Sequence, residues 1–332
     1  MAGVVFSESS AKNDVLFGKF EAPIKAIILG EIENGENEKN ILNNLFNIEK
    51  SDRYAETIVT NSGFSAFKPK KEGEIAENDD LTIGYPKIIE HIEFAKEFAI
   101  TRKMADDSKE TLSSEMRREP KAFADAYLET KLEVASLALA NGLNSSMNYN
   151  GVDIDLTTGD GQPLFSKTHS TKSGKTQSNL FSNAFSADNL FKLVVAFRNM
   201  RDESGKLMGA SPDVIIIPGN RAGLEKSVVT LFASEKLPGG SNNDANPFYK
   251  FMQVVVNPYW QASADNYILM SSKLNEKLLG NVFFNRVDLD IVSEIDRKTR
   301  NYVWNGYCRF GVGFGNWKHA IMAGASSGTA LS

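Results

Sequence analysis

Residues with chemical potential are scattered along this 332-residue chain. SGKT (Ser173 to Thr176) has the ending of a phosphate-binding loop, in which backbone N–H groups and a lysine surround a phosphate. That loop needs a glycine where His169 stands, a strand before it and a helix straight after it. Ser/Thr-rich chain flanks it on both sides instead, so an ordinary polar loop is expected. GVGFG (Gly311 to Gly315) lacks the third glycine of a dinucleotide fingerprint, and no βαβ unit is expected after it. DIDLTTGDG (Asp153 to Gly161) has Thr158 where a calcium loop needs glycine and Leu164 where it needs glutamate. GASSG (Gly324 to Gly328) fits a nucleophile elbow, with neither a following helix nor a later histidine. His91, His169 and His319 share no metal-ligand spacing, and Cys308, the sole cysteine, cannot complete a zinc site. Asp125, Glu129 and Glu133 recur at helical spacing, as an exposed acidic face does. No catalytic, cofactor-binding or metal residues are expected, and no cofactor.

Composition narrows the class. The chain is 42% hydrophobic and 24% charged, with net charge −5. A disordered chain would be poorer in apolar residues, and one cysteine excludes a disulfide scaffold. No apolar run reaches the roughly 18 residues of a membrane span, and the start has no secretory signature. Mild acidity argues against a surface built to grip phosphates. A reduced, cytoplasmic setting and about two domains of ~150 residues are the first expectation.

The elements that would carry these residues read as follows. The first fifty residues suggest an arm with one or two short helices and no packed domain. From Tyr54 to Thr101, β-branched and aromatic residues alternate on both sides of a charged turn, KEGEIAENDD, which predicts a long two-stranded excursion. A lone hairpin is marginal in water, so it must lie on its own chain or on a neighbour. A helix is expected from Pro120, in its first turn, to the stop signal Gly142. It should be mostly buried, with Asp125, Glu129 and Glu133 on an exposed edge. Residues 145–187 read as a long irregular connection with one strand at Pro163 to Ser166. An α/β block follows: helices in ADNLFKLVVAFRNM and NRAGLEKSVVTLFASE, and strands in PDVIIIPG, FMQVVVNPYW and NYILMSS. LPGGSNNDANP is a flexible tip between them. Phe283 to Ile321 predicts two long strands, the second bent or bulged at its glycines, and AGASSGTALS a frayed tail.

Three stretches in this order carry a family resemblance. They are FAITRKMADD (Phe98 to Asp107), DGQPLFSKTHSTKSGKTQSNLFS (Asp160 to Ser182), and PDVIIIPGN (Pro212 to Asn220) combined with RNYVWNGYCRFGVGFGNWKHAI (Arg300 to Ile321). In the second, Asp160, Gly161, Leu164, Phe165, Ser166, His169 and Asn179 match a "DG-x-x-LFS-x-x-H…N" pattern. The chain thereby resembles the major capsid proteins of tailed bacteriophages, of the Mu-like head-subunit type.

The resemblance implies an α+β, Hong Kong 97-like capsid fold. It implies an N-terminal arm (1–53), an E-loop hairpin (54–101), and a P-domain (102–186) with a spine helix at about 120–142. An α/β A-domain (187–279), closing P-domain strands (280–322) and a flexible tail (323–332) complete it. It further implies a non-enzymatic subunit that self-assembles into pentamers and hexamers of an icosahedral shell. That shell would enclose double-stranded DNA without sequence-specific binding or a membrane, in a virion assembled in the host cytoplasm. Scaffolding, portal and decoration proteins are the further partners implied. Some relatives carry a scaffolding segment before the arm; here it is expected to be a separate protein, removed or absent. Asp125, Glu129 and Glu133 would suit an inner wall that repels DNA. The alternatives are an encapsulin-like shell around an enzyme cargo and a nucleotide-using enzyme dependent on Lys175.

Overall fold

The computed structural model describes residues 4–6, 15–37, 41–61, 67, 69–75, 78, 83–108, 112–237 and 244–331. Parts of KEGEIAENDD (71–80) and LPGGSNNDANP (237–247) lie outside the described residues.

The N-terminal region holds β1 (Val5–Phe6), α1 (Val15–Asn37), α2 (Ile41–Leu45) and β2 (Asn47–Lys50). The expected short helices are corrected here: α1 alone has 23 residues. Phe17, Phe20, Ile24, Ile28 and Ile32 repeat every three or four residues and are 0–2% exposed. They pack against Phe98, Ile100, Met116, Phe123, Tyr302 and Trp304, and the Phe17 ring lies 5.6 Å from that of Trp304. Pro23 and three glycines mask this stripe when propensity is read alone; burial of the apolar face outweighs their cost. Gly35 sits close to α4: a Cβ there would lie 2.3 Å from Leu128 Cδ1, so a side chain would have to push that leucine aside.

The expected two-stranded excursion is three strands: β3 (Ala55–Asn61), β4 (Ile83–Glu90) and β5 (Ile92–Ile100). β3 and β4 pair antiparallel with each other. The chain leaves the ladder at His91, and β5 pairs instead with a late strand. Helix α3 (Arg102–Asp107) leads to α4 (Ser114–Ala140). The Ser113 hydroxyl caps α4 by accepting from the Met116 N–H, so the helix starts nearly two turns earlier than expected and Pro120 falls in its second turn. At 27 residues it is roughly 40 Å long.

Residues 145–187 are more structured than the expected irregular connection. β6 (Ser146–Tyr149) and β7 (Val152–Asp155) form a hairpin turned by Asn150 (φ 51°) and Gly151 (φ 91°), the Asn-Gly pair that a type I′ turn favours. β8 (His169–Ser170) and β9 (Thr176–Gln177) form another. The expected strand at Pro163 to Ser166 is absent from the described residues there; Leu164 and Phe165 instead insert into the core at 0% and 1% exposure.

The α/β block forms as the pattern predicts: α5 (Ala187–Arg198), β10 (Val214–Pro218), α6 (Ala222–Ala233), β11 (Gln253–Asn257), β12 (Tyr267–Met270) and α7 (Ser272–Leu278). The two long strands also form, as β13 (Asn281–Ile295) and β14 (Tyr302–Phe314), followed by β15 (Ala320–Ala323).

One sheet runs β1-β13-β14-β5, with β2 alongside β1 on the β13 edge; the other runs β11-β10-β12-β15. The chain end therefore completes both sheets, and one core joins α4, the α/β block and the late strands.

The expected bulges fall on β13, between Asn285 and Asp290, and not on the glycine-rich β14. The glycines of β14 serve close packing: a Cβ on Gly311 would lie 2.7 Å from Glu90 O. The frayed tail is also corrected. Thr329 N–H donates to Leu180 O at 2.9 Å and Ser182 N–H to Thr329 O at 3.0 Å, while Asn183 and Leu331 exchange two further hydrogen bonds.

Candidate assembly surfaces

The motifs singled out above become structural once folded. SGKT is the turn between β8 and β9. The Thr171 N–H donates to Lys175 O and the Gly174 N–H to Thr171 O, so the loop is closed as a β-turn, and no helix follows it directly. GASSG is fastened to Phe181, whose backbone would sit 2.2 Å from a Cβ on Gly328. The carboxylates of DIDLTTGDG are used internally. Asp155 pairs with Lys87 at 2.6 Å. Asp160 accepts from the Thr158 hydroxyl, the Gln162 and Ser170 N–H groups and His169. Burial alone would raise the Asp160 pKa, but these donors outweigh it and hold the carboxyl below its ordinary value. Among the described residues no group of three His, Cys, Asp or Glu side chains could hold a metal ion.

Two histidines are core residues. His169 is fully buried, stacks on Trp317 at 4.3 Å and contacts Asp160 and Leu164 O at 2.9 and 3.2 Å. Asn179 donates to Leu164 O and Ala320 O at 2.7 and 3.2 Å. Asp160, His169 and Asn179 thus tie the connection to the closing segment. His319 lies between Asn316 O and Asn281 Oδ1, at 2.7 and 2.8 Å, and burial pushes it down to about 4. His91 lies at the β4–β5 break, with Nδ1 2.6 Å from Tyr54 O. Burial pushes the Cys308 thiol up to about 11, which removes it as a nucleophile.

Sequence reasoning missed a buried ion pair between Lys318 and Glu203. It also missed Asn275 and Asn281, which both donate to Leu45 O. Isolated polar letters inside apolar stretches are the only sequence signal such contacts leave.

The acidic stripe divides. Asp125 and Glu129 are exposed, but Glu133 is half-buried and accepts from Tyr149 OH at 2.9 Å. Burial and Glu133 together push the Tyr149 hydroxyl up to about 12. Asp125 and Glu129 line a crevice of about 580 Å³ with Glu31, Glu49, Asp288 and Lys50.

The hairpin β3–β4 carries the most conspicuous uncovered face among the described residues. Its inner face, Ile58 and Ile89, packs on Val282, Phe284 and Leu279, and Lys87 fastens it to β7. Its outer face is bare: Val59, Ile83 and Ile88 are 46%, 63% and 58% exposed. A second apolar surface carries Phe191 and Val195 of α5, one helical turn apart, and both are about half exposed. Neither surface offers reactive groups; both can bury apolar area against another chain.

Solved structures resemble the chain in overall fold. The chain is similar to the capsid protein of Ralstonia phage GP4, with TM-score 0.51, 10% identity, and 84% and 86% of the two chains covered. It is also similar to the capsid of a native GTA particle (TM-score 0.49, 12% identity, 89% and 94% covered). The cyanophage P-SCSP1u capsid gives TM-score 0.48 and 13% identity, with 89% of each chain covered. No curated protein matches in sequence. The fold is thus α+β and Hong Kong 97-like. Residues 85–323 match the family described as phage capsid protein, and the chain belongs to that family. It is a structural subunit of a capsid, the shell of a virion.

Proposed function

We propose that the chain is a major head subunit of the Mu-like type, closing with copies of itself into pentamers and hexamers of an icosahedral shell around double-stranded DNA. The observation that carries the proposal is the β3–β4 hairpin, apolar on the face its own chain leaves uncovered. Contacts between unlike surfaces that close on themselves build rings and shells, and a projecting hairpin laid on the next subunit makes such a contact. In this reading residues 1–53 are the arm, 54–101 the E-loop, and 102–186 with 280–322 the P-domain. Residues 187–279 are the A-domain and 323–332 the tail. The role is structural, without catalysis. Scaffolding, portal and decoration proteins are the expected helpers, and host cytoplasm is the place of assembly. The DG-x-x-LFS-x-x-H…N sequence match supports the Mu-like type; in the fold His169 contacts Asp160, and both His169 and Asn179 contact Leu164 O.

Electron microscopy of the purified full chain, alone and with its neighbouring gene products, is the test. Closed shells or capsomer rings are expected. A monomer that persists in both preparations contradicts the proposal.

A further inference from the structure

The loop that failed as a nucleotide site has another property. The β8–β9 hairpin and the turn at 201–207 are joined: Gln177 and Arg201 exchange two hydrogen bonds of 2.9 and 3.0 Å. Lys172 N–H donates to Glu203 at 3.0 Å, and a Cβ on Gly205 would lie 3.9 Å from Ser173 Oγ. The resulting platform exposes Lys167, Lys172, Lys175, Arg201 and Lys206. Its acids are consumed internally. Glu203 is buried against Lys318, and the half-buried Asp202 accepts from the N–H groups of Ser204 and Lys206. Thr168, Ser170, Ser173 and Thr176 place hydroxyls between the cations, and Leu207 is the large apolar side chain exposed there.

We infer that this platform binds the phosphate backbone of duplex nucleic acid, without reading sequence. Lysines interleaved with serine and threonine hydroxyls are the groups that contact phosphates. Protein–protein contacts favour aromatic cores and are depleted in lysine, which disfavours the acidic crevice of a second copy as the occupant. The aromatic ring beside the platform, Tyr85, is half-buried and covered by the Lys172 ammonium at 3.8 Å, which leaves no open face there for a base to stack on. A chain of net charge −5 would then hold DNA at one local patch while most of its surface repels it. The choice of duplex DNA as the polyanion rests on the shell reading; the phosphate chemistry does not.

The test is binding of the full chain to a labelled DNA duplex over a salt series. Five phosphate contacts would lower affinity about 500-fold between 50 and 200 mM salt. Replacing three, as Lys167→Gln, Lys172→Gln and Lys175→Gln together, should reduce that fall to about 12-fold. A charge-matched control away from the platform, Lys226→Gln with Lys273→Gln and Lys277→Gln, should keep the wild-type salt dependence. Three results overturn the inference: no wild-type binding at 50 mM salt, equal effects of the two triple variants, or normal DNA binding with lost assembly in the platform variant. The last would make the platform a contact between copies. Electron microscopy of the same samples reports separately on the shell reading.

Discussion

His319 shows how a group with catalytic potential is spent on structure. The ring is wholly buried, and burial holds its pKa at about 4 against an ordinary 6.5. In the unfolded chain it takes up a proton near 6.5, whereas in the folded chain it stays neutral until about pH 4. Between these values the unfolded state binds more protons, so stability is complete above 6.5 and falls as the pH drops toward 4. The loss should be about 3 kcal/mol for this group. Urea unfolding of dissociated subunits at pH 7 and pH 4.5 measures it. His319→Gln should lower stability at pH 7 yet flatten the pH dependence across that window; an unchanged slope would show that other groups cause it. Asp160 acts in a lower window. Its carboxyl is held below the ordinary 3.8, so the stability it contributes is present above 3.8 and disappears only as the pH falls through its lower folded value.

At the scale of elements, the hairpin β3–β4 separates folding from assembly. Ile89 is 3% exposed and packs on Val282 and Phe284, so Ile89→Ala should cost about 2–5 kcal/mol of subunit stability. Val59 and Ile88 face outward; Val59→Ser with Ile88→Ser should change subunit stability by less than about 1 kcal/mol while preventing shell formation. Denaturant midpoints with light scattering resolve the two, and normal shells from the outward double variant would remove the hairpin from the assembly contact. Strands β3 and β4 were legible as rough alternation, but the adjacent pairs Ile58-Val59 and Ile88-Ile89 hid which member faces outward; α5, α6, β10–β12, β13 and β14 were legible because apolar period and turn residues agree there. Helix α1 was not, since Pro23 and its glycines contradict a helix that only tertiary burial supports. The β6–β7 hairpin carried a local signal, Asn150-Gly151, inside a polar stretch that reads as loop. The pinned tail had none: its hydrogen bonds to residues 180–183 join positions about 150 residues apart, and small polar residues do not specify a distant partner. The structural part played by Asp160 and His169 was equally hidden, because burial and not residue type decides it.

The whole molecule leaves apolar side chains uncovered on the β3–β4 hairpin and on α5, the kind of surface that a neighbouring chain buries. Some of the core is also shared between distant parts of the chain: β1 and β2 add to β13, and β15 adds to β12. Neither the N-terminal strands β1 and β2 nor the late strand β15 can leave without opening a sheet edge. A subunit built this way should fold as one cooperative unit and gain further stability by mass action when it assembles. Calorimetry of assembled shells should therefore show a higher unfolding temperature than dissociated subunits under the same buffer and pH. Below the concentration at which shells form, the transition should become independent of concentration and coincide with that of the dissociated form. Equal transitions in both states would mean that neighbours cover little of these apolar faces, and the hairpin's bare face would then need another occupant.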